Sequence, residues 1–245
     1  MIYFEKQGVI GCDGVNSVVA HGFLNLPHPA ISGRCGIRGM ATYPEGHGLQ
    51  PRFQIRFLNG ISFGRVPIND KDVFWFAVCS PPPQGKEYPE EITELVSRAG
   101  SDSLSMTVLR FQWAWKMLEK ACKGSVTVAG DAVHPMTPDL GQGGCSALED
   151  AIVVARCLAQ GLNGSADIDK EAQVIEEAFN KYANERKWRW IWLVSQAYIT
   201  GFVQQGSSGL ARFIRDKILL KIRSRKDMFI HATYDCGTLP NITSE

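Results

Sequence analysis

Apolar and polar residues alternate with a period of two through the segment from Cys35 to Cys79. The alternation is clearest where Phe53, Ile55 and Phe57 are interleaved with Arg52, Gln54 and Arg56. This period is typical of strands that have one buried face. Asn59-Gly60 then precedes another apolar run and predicts a tight hairpin, because both residues tolerate positive φ. With a second reversal at Asn69-Asp70, the segment predicts an antiparallel meander.

The residues before this meander indicate a strand followed by a turn. Gly8 to Gly11 is a short apolar run that enters C-D-G, and Ser17 follows as a candidate capping residue. A strand so close to the first residue needs neighbours that no earlier residues supply. We therefore expect a partner chain or a further segment to complete its sheet.

The residues after the meander are predicted to be mainly helical. Pro81-Pro82-Pro83 interrupts the sheet, and Pro89, followed by acidic residues, starts a short linker helix. Ser125 to Ala129 then predicts a strand, and the helix from Gly144 onward is expected to bury the face with Leu148, Ile152, Ala155 and Ala159. Ile168 to about Gln205 predicts one or two long helices, in which Gly201 and Gly206 are candidate bends.

These elements predict a mixed α/β fold with three parts. Residues 1–34 and 104–165 form the part with the strand–loop–helix unit. Residues 35–103 form an inserted antiparallel sheet domain, and residues 166–245 form a C-terminal helical region.

Composition excludes several classes of protein. The 245 residues carry 26 basic and 25 acidic side chains, so a net charge of +1 gives no general attraction to nucleic acid. Seven scattered cysteines without C-x-x-C predict neither a disulfide framework nor a zinc site, and His21, His28 and His231 lack metal-ligand spacing. The absence of a signal-like start favours a reducing, cytoplasmic location.

One segment approaches membrane character. Trp188 to Val203 contains arginine, serine and glutamine among too few apolar residues to span a bilayer. It is interpreted as a packed helix, and the alternative is an interfacial helix anchored by Trp188, Trp190 and Trp192.

The candidate chemistry lies between Ser125 and Ala151. Asp131 follows the predicted strand directly, where a carboxylate can accept hydrogen bonds from sugar or ribitol hydroxyls, and Gly130 allows close backbone approach. Pro135 and Pro138 stiffen the loop that follows. Its last residues, Gly141, Gln142, Gly143 and Gly144, precede a helix whose N-terminus attracts negative charge. The pattern predicts a nucleotide-cofactor site.

The string G-D-A-V-H-P-M-T-P-D-L-G-Q-G-G-C-S-A-L-E-D-A from Gly130 resembles the second FAD motif of the class A flavoprotein monooxygenases. G-C-D-G-V-N-S-V-V from Gly11 resembles their middle motif. The similarity is strongest to plant salicylate hydroxylase-like and zeaxanthin epoxidase-like members. It implies an FAD-binding Rossmann-like domain with an inserted antiparallel substrate-binding sheet. It also implies NAD(P)H as electron donor, molecular oxygen, and a small aromatic or other electron-rich substrate to hydroxylate or epoxidise.

The resemblance also implies roles for individual residues. Asp131 would bind the ribitol and Gly130 would lie against the cofactor. Asp13 and Gly14 would lie near the pyrophosphate and the path of the nicotinamide donor. The isoalloxazine would be lined by His134, Pro135 and Pro138, and its pyrimidine end by Gly141, Gln142, Gly143 and Gly144.

No catalytic side chain is predicted, because the flavin itself carries the redox chemistry in this family. Glu149 and Asp150 are interpreted as helix surface or a local cap. Four basic side chains of the sheet could contact an acidic substrate, although solvent-facing or structural roles are the simpler interpretation: Arg52, Arg56, Arg65 and His47.

The chain departs from the family pattern at two points. Ala20 stands where the middle motif often has arginine, and no strand-G-x-G-x-x-G-helix unit precedes Gly8. The adenosine-binding half of the site is therefore expected to be missing, as in an N-terminally truncated chain. A non-catalytic remnant that acts through binding, and a flavin reductase or dehydrogenase of the same fold, remain as alternatives.

Overall fold

The computed structural model describes residues 8–58, 60–80, 90–163, 171–205 and 233–240. They form a mixed α/β fold, as predicted, with eight strands and three α-helices in the described part. The chain divides into two compact units. The first consists of the described residues within Met1–Ala30, Arg110–Thr200 and Ile222–Glu245, and the second of those within Ile31–Leu109 and Gly201–Lys221.

The second unit is built on a five-stranded sheet with the order β3-β4-β5-β2-β6. Its strands are β2 (Ala30–Thr42), β3 (Gln54–Leu58), β4 (Ile61–Pro67), β5 (Asp72–Cys79) and β6 (Ser105–Phe111). The pairs β3–β4, β4–β5 and β2–β5 are antiparallel, which confirms the predicted meander.

The turns of this sheet use the predicted residues. Gly60 has φ +84°, which glycine adopts without strain, while Asn59 lies outside the described residues. In the second reversal, the Asn69 side-chain oxygen accepts hydrogen bonds from the amides of Lys71 and Asp72 at 2.8 and 2.7 Å. This local bond is the usual way in which asparagine stabilises a turn.

Helix α1 (Glu90–Ser97) covers one face of the sheet instead of serving only as a linker. Its Ile92 and Leu95 are buried in a cluster with Phe63 and Trp75 of the sheet. The prediction of a linker helix was incomplete because proline and acidic residues identify a helix start but not what the helix covers. Pro81-Pro82-Pro83 and Pro89 lie outside the described residues.

The first unit holds a three-stranded sheet with the order β1-β8-β7, formed by β1 (Val9–Gly11), β7 (Cys122–Lys123) and β8 (Val126–Val128). Strands β1 and β8 are parallel, and β7 and β8 are antiparallel. Helix α2 (Gly143–Leu162) belongs to the same unit. Helix α3 (Glu171–Gln205) belongs to it from Glu171 to Thr200. Its core includes Val128, Val153, Phe179, Tyr182 and Trp190.

The buried face of α2 differs from the predicted one. Leu148 is 71% exposed and Ile152 38% exposed, and Ala155 is exposed as well. The helix instead buries Ser146, Asp150, Val153, Val154 and Cys157. An apolar pattern could not identify this face because two of its residues are polar and depend on partners from distant segments.

Helix α3 is continuous through Gly201, and Ile168 and Gly206 lie outside the described residues. Its segment 188–203 packs as predicted, since Trp190, Leu193 and Ala197 are fully buried whereas Trp188 is exposed. Within the described residues, no helix combines the length and the apolar character that crossing a membrane requires.

Candidate functional site

Two loops leave the same edge of the small sheet. Gly11 of β1 is the register partner of Val128 in β8, and the Ala129 amide donates to the Gly11 carbonyl at 3.0 Å. Asp13 and Gly130 follow two residues later on their respective strands. Ligand-binding loops gather at the carboxyl ends of parallel strands. The fold therefore brings the two predicted motifs to one edge.

Gly130 opens the second loop in a conformation that requires glycine. It starts a 3₁₀ turn, Gly130–Ala132, with φ +62°, and a Cβ there would lie 3.2 Å from the Ala147 Cβ. Its amide donates to Asp150 Oδ2 at 2.9 Å. The backbone after β8 is thus attached directly to helix α2.

Replacing Gly130 with alanine is expected to lower the free energy of unfolding by about 1–3 kcal/mol, because the new Cβ meets both a left-handed φ and Ala147. Gly144→Ala is the matched control, since a Cβ at Gly144 would enter open space. Urea denaturation of both variants measures the difference. Equal destabilisation by the two substitutions would contradict this account of Gly130.

Asp131 faces outward beside the start of α2. It is exposed, and within the described part of the chain its carboxylate has no hydrogen-bond or ion-pair partner. Its Oδ1 lies 4.0 Å from the position that a Cβ on Gly143 would occupy. An unpaired acceptor at this position can take hydrogen bonds from the hydroxyl groups of a bound molecule.

The glycine turn before α2 is open. Pro138–Leu140 forms a 3₁₀ turn that ends at Gly141, whose φ is +66° and whose amide donates to the Pro138 carbonyl at 3.0 Å. Gly141 and Gly144 are exposed, and a Cβ on either would meet no atom within 4 Å. Because the first amides of a helix lack intrahelical acceptors, this surface favours a negatively charged group.

The two residues between these open glycines are partly buried. Gln142 is the N-cap residue of α2, and its Oε1 is buried without a hydrogen-bond partner among the described residues. Gly143 follows as the first helical residue. The loop thus presents open backbone on either side of an unsatisfied amide oxygen.

His134 does not lie on this open surface. Its side chain is fully buried, and Nε2 is 2.7 Å from Asp150 Oδ2. Pro135 is also buried, and its carbonyl accepts from the Gln112 amide at 2.9 Å. Pro138 is exposed. The His134 side chain therefore lies behind the loop, and the lining role that the resemblance implied for His134 stays a prediction.

Asp150 is the residue that the sequence interpretation missed. It is fully buried and not, as expected, a surface or capping residue. Four donors surround its carboxylate: the Gly130 amide at 2.9 Å, His134 Nε2 at 2.7 Å, Arg186 Nε at 2.8 Å and Trp190 Nε1 at 2.8 Å. Arg186 and Trp190 lie one helical turn apart on α3. One carboxylate thus connects the loop after β8 to both long helices.

Acidic and basic side chains lie in direct contact in this cluster. Burial alone would raise the pKa of Asp150, but the hydrogen bond from His134 and the charges of His134 and Arg186 hold it below its ordinary value. Glu149 accepts from Arg186 at 2.7 Å and from Arg189 at 2.8 Å. The Tyr234 ring lies 4.3 Å from the Arg186 guanidinium. Glu149 is therefore also a structural ion-pair residue, contrary to its interpretation as surface or cap.

The Asp13 carboxylate accepts its hydrogen bonds from the turn that follows it. Its carboxylate accepts from the Ser17 hydroxyl and from the Val18 and Val19 amides, the Val18 amide at 2.7 Å. The bond from Ser17 is the main cause that lowers the pKa of Asp13. Gly14 has φ +78° and open space around its Cα. Asp13 thus shapes this loop, and Gly14 leaves its surface open.

Of the four basic residues considered for an acidic substrate, three have partners within the second unit. Arg56 pairs with Glu91, Arg65 donates to Gln54, and His47 lies against the Asn69 carbonyl. Arg52 is exposed. Across the described residues, no group of histidine, cysteine or acidic side chains could hold a metal ion, and His231 lies outside them.

A parallel strand pair whose loops present a free carboxylate and an open glycine turn before a helix is typical of nucleotide-cofactor-binding α/β proteins. Residues 62–187 match the family model described as FAD binding domain. The chain belongs to this FAD-binding-domain family of flavoprotein monooxygenases, as its motifs predicted.

Two plant relatives resemble the chain in sequence, and a solved bacterial structure resembles it in fold. Monooxygenase 2 of Arabidopsis thaliana is 38% identical over 96% of the chain, and Monooxygenase 1 of the same plant is 39% identical over 96%. The chain spans 63% and 64% of these two proteins, which is less than two thirds of either. Klebsiella pneumoniae HpxO, solved with FAD and uric acid, shares the fold with a TM-score of 0.69 at 18% identity, over 92% of this chain and 58% of HpxO.

Proposed function

We propose that this chain carries the flavin-ring and ribitol portion of an FAD-dependent monooxygenase. The enzyme would use NAD(P)H and molecular oxygen to hydroxylate or epoxidise a small electron-rich substrate. The observation that carries the proposal is the exposed, unpaired Asp131 next to the open glycine turn of α2. When bound, FAD supplies the electron transfer and the reaction with oxygen.

The residues on this edge fit such a group. Asp131 can accept hydrogen bonds from ribitol hydroxyls, and the backbone at Gly141 and Gly144 is free of side chains that would obstruct a flat ring. The amides at the start of α2 can stabilise negative charge on that ring. Gly14 leaves room at the neighbouring loop for a pyrophosphate.

The residues behind this surface would act by holding it in place. Asp150 fixes the Gly130 amide and His134 to helices α2 and α3. A loop that is held in place in this way would need little reorganisation when a ligand binds. His134 would therefore contribute to positioning and not to contact with the ring.

Reconstitution tests the proposal. The purified chain is incubated with FAD and freed of unbound cofactor, and its visible absorbance and its oxidation of NADH and NADPH are recorded. We expect protein-bound flavin and FAD-dependent NAD(P)H oxidation. A folded but colourless and inactive protein would refute the proposal for this chain and support the alternative of a non-catalytic binding remnant.

Two further measurements separate the remaining alternatives. Incorporation of oxygen-18 from labelled oxygen into product distinguishes a monooxygenase from a flavin reductase or dehydrogenase. Hydrogen exchange at β1 tests the predicted need for a partner to complete the sheet, since β1 is at the edge among the described strands and its Val9 and Ile10 are exposed. Strong protection of this strand in the isolated chain would argue against such a partner.

A further inference from the structure

The ladder between β2 and β5 ends at a pair of cysteines. Its register partners run from Thr42 and Asp72 at one end to Cys35 and Cys79 at the other. At the first end, the Thr42 hydroxyl donates to Asp72 Oδ1 at 2.9 Å. At the second end, two thiols face each other across the strands, since neither cysteine is in a disulfide.

The two sulfur atoms are in contact. Cys35 Sγ lies 3.8 Å from Cys79 Sγ and 3.6 Å from the Cys79 carbonyl oxygen, which accepts from the Cys35 thiol. Thiols are weak hydrogen-bond donors and acceptors. The side chains at this end of the ladder therefore hold the strands together less strongly than the hydroxyl–carboxylate bond does at Thr42.

The backbone around the pair suits a disulfide. Residues directly opposite each other in antiparallel strands have Cα atoms about 4.5–5.5 Å apart, which lies within the range of about 4.4–6.8 Å that disulfides span. Cys35 and Cys79 are register partners, so their strands already meet this requirement. A bond between the sulfur atoms requires side-chain rotation and no change in strand register.

An oxidant in solution reaches this pair through Cys35. Cys79 is buried, with 2% of its surface exposed, whereas Cys35 is partly exposed. Sensitivity to oxidation follows exposure and thiolate character, and it leads to a disulfide when a second cysteine lies beside the first. Cys35 is therefore positioned to react first, and Cys79 to resolve the product.

The other five cysteines all belong to the first unit, whereas Cys35 and Cys79 belong to the second. Among those five, Cys12 and Cys145 are exposed, and Cys122 donates to an asparagine oxygen. The pair thus accounts for all the cysteines of the second unit. An inference about it does not depend on the proposed function, whose residues lie in the first unit.

We propose that Cys35 and Cys79 are a reversible oxidation site, which hydrogen peroxide converts into a disulfide between β2 and β5. The Cys35 thiolate attacks one peroxide oxygen, the O–O bond breaks, and the products are a sulfenic acid and hydroxide, which takes up a proton to form water. The Cys79 sulfur then attacks the sulfenic sulfur, and the displaced hydroxyl leaves with the Cys79 proton as a second water. The two thiols together lose two electrons, and the peroxide gains two.

The disulfide closes a long loop of the second unit. Cys35 and Cys79 are 44 residues apart, and β3 and β4 lie between them. A cross-link stabilises a protein mainly by restricting the unfolded chain, and the effect increases with loop length. Oxidation therefore makes this unit more resistant to unfolding, and thiol–disulfide exchange with a reductant reverses the change.

The test is peptide mapping of the full chain after treatment with hydrogen peroxide and alkylation of the remaining thiols. Trypsin places the two cysteines in separate peptides, residues 35–38 and 72–86. We expect these peptides to be joined, with a mass lower by two hydrogen atoms than the sum of the reduced peptides, and to separate again in dithiothreitol. The same treatment in urea should give mixed pairings, because the two sulfur atoms are then no longer held in contact.

Variants of single cysteines provide the controls. Cys35→Ser and Cys79→Ala should each abolish the joined product, whereas Cys145→Ser removes an exposed thiol of the first unit and should retain it. In protein that keeps both cysteines of the pair, oxidation should raise the urea midpoint of the second unit by about 1 M. Pulsed hydrogen exchange in peptides from β4 measures this midpoint.

Four results would overturn the proposal. They are the absence of the joined peptides, an equal yield of them in urea and in the folded protein, an equal loss in Cys35→Ser and Cys145→Ser, or an unchanged midpoint in the oxidised protein. If one variant of the pair does not fold, the other tests the same bond, since each removes one of its two sulfur atoms.

Discussion

Asp150→Asn is expected to lower the free energy of unfolding by about 3–5 kcal/mol, the usual cost of removing one partner of a buried ion pair. The carboxylate accepts from four donors, and an asparagine must turn an NH₂ group toward some of them. Among the described residues, Arg186, which is fully buried, would retain only Glu149 as a charged partner. Asp150 Oδ2 accepts from Gly130 and His134, and Oδ1 accepts from Arg186 and Trp190, so one of these two pairs of donors would lose its acceptor.

Urea denaturation followed by far-ultraviolet circular dichroism measures this change. Glu119→Gln is a suitable control, since Glu119 is exposed and should change stability by no more than about 0.5 kcal/mol. The double variant Asp150→Leu with Arg186→Met is expected to lose less than the sum of its single variants, because the charges are removed together. Additive losses, or a loss in Asp150→Asn no larger than in the control, would show that the carboxylate does not organise this cluster.

Asp131→Ala is expected to weaken FAD binding by about 10- to 100-fold while leaving the stability of the protein without FAD unchanged. The first effect follows because hydrogen bonds to a charged acceptor are worth about 1.5–3 kcal/mol. The second follows because the carboxylate is exposed and has no partner among the described residues. This separation of binding from stability is the opposite of the result expected at Asp150.

The measurement is titration of flavin fluorescence with each variant, together with urea denaturation in the absence of FAD. Asp131→Asn should retain part of the affinity, since its amide oxygen still accepts hydrogen bonds. Glu119→Gln again serves as the control with unchanged binding. An unaltered FAD affinity in Asp131→Ala would remove Asp131 from the proposed site.

Much of the fold was predictable from local pattern. The period-two segment and its turn residues define the meander, because alternation and positive-φ residues act over neighbouring positions. The same is true of the strand before Gly130 and of the long helix that contains Trp190. Family membership was predictable as well, from the two motifs and their order.

The predictions that failed concern which face of an element is buried. Apolar spacing on α2 favoured the face with Leu148, yet the structure buries the face with Asp150. Burial of a carboxylate becomes favourable only when its donors are present, and these come from a loop 20 residues earlier and a helix 36 and 40 residues later. The His134 side chain is buried for the same reason, since its partner is this carboxylate.

By itself, the amino-acid sequence determined the elements, their order, the family and the position of Asp131 after a strand. These features depend on residues that are near one another in the chain or on motifs that are contiguous in the sequence. Only the tertiary structure decided that Asp150 unites the loop after β8 with two helices. Such pairings depend on distances between residues far apart in the chain, and no local pattern encodes them.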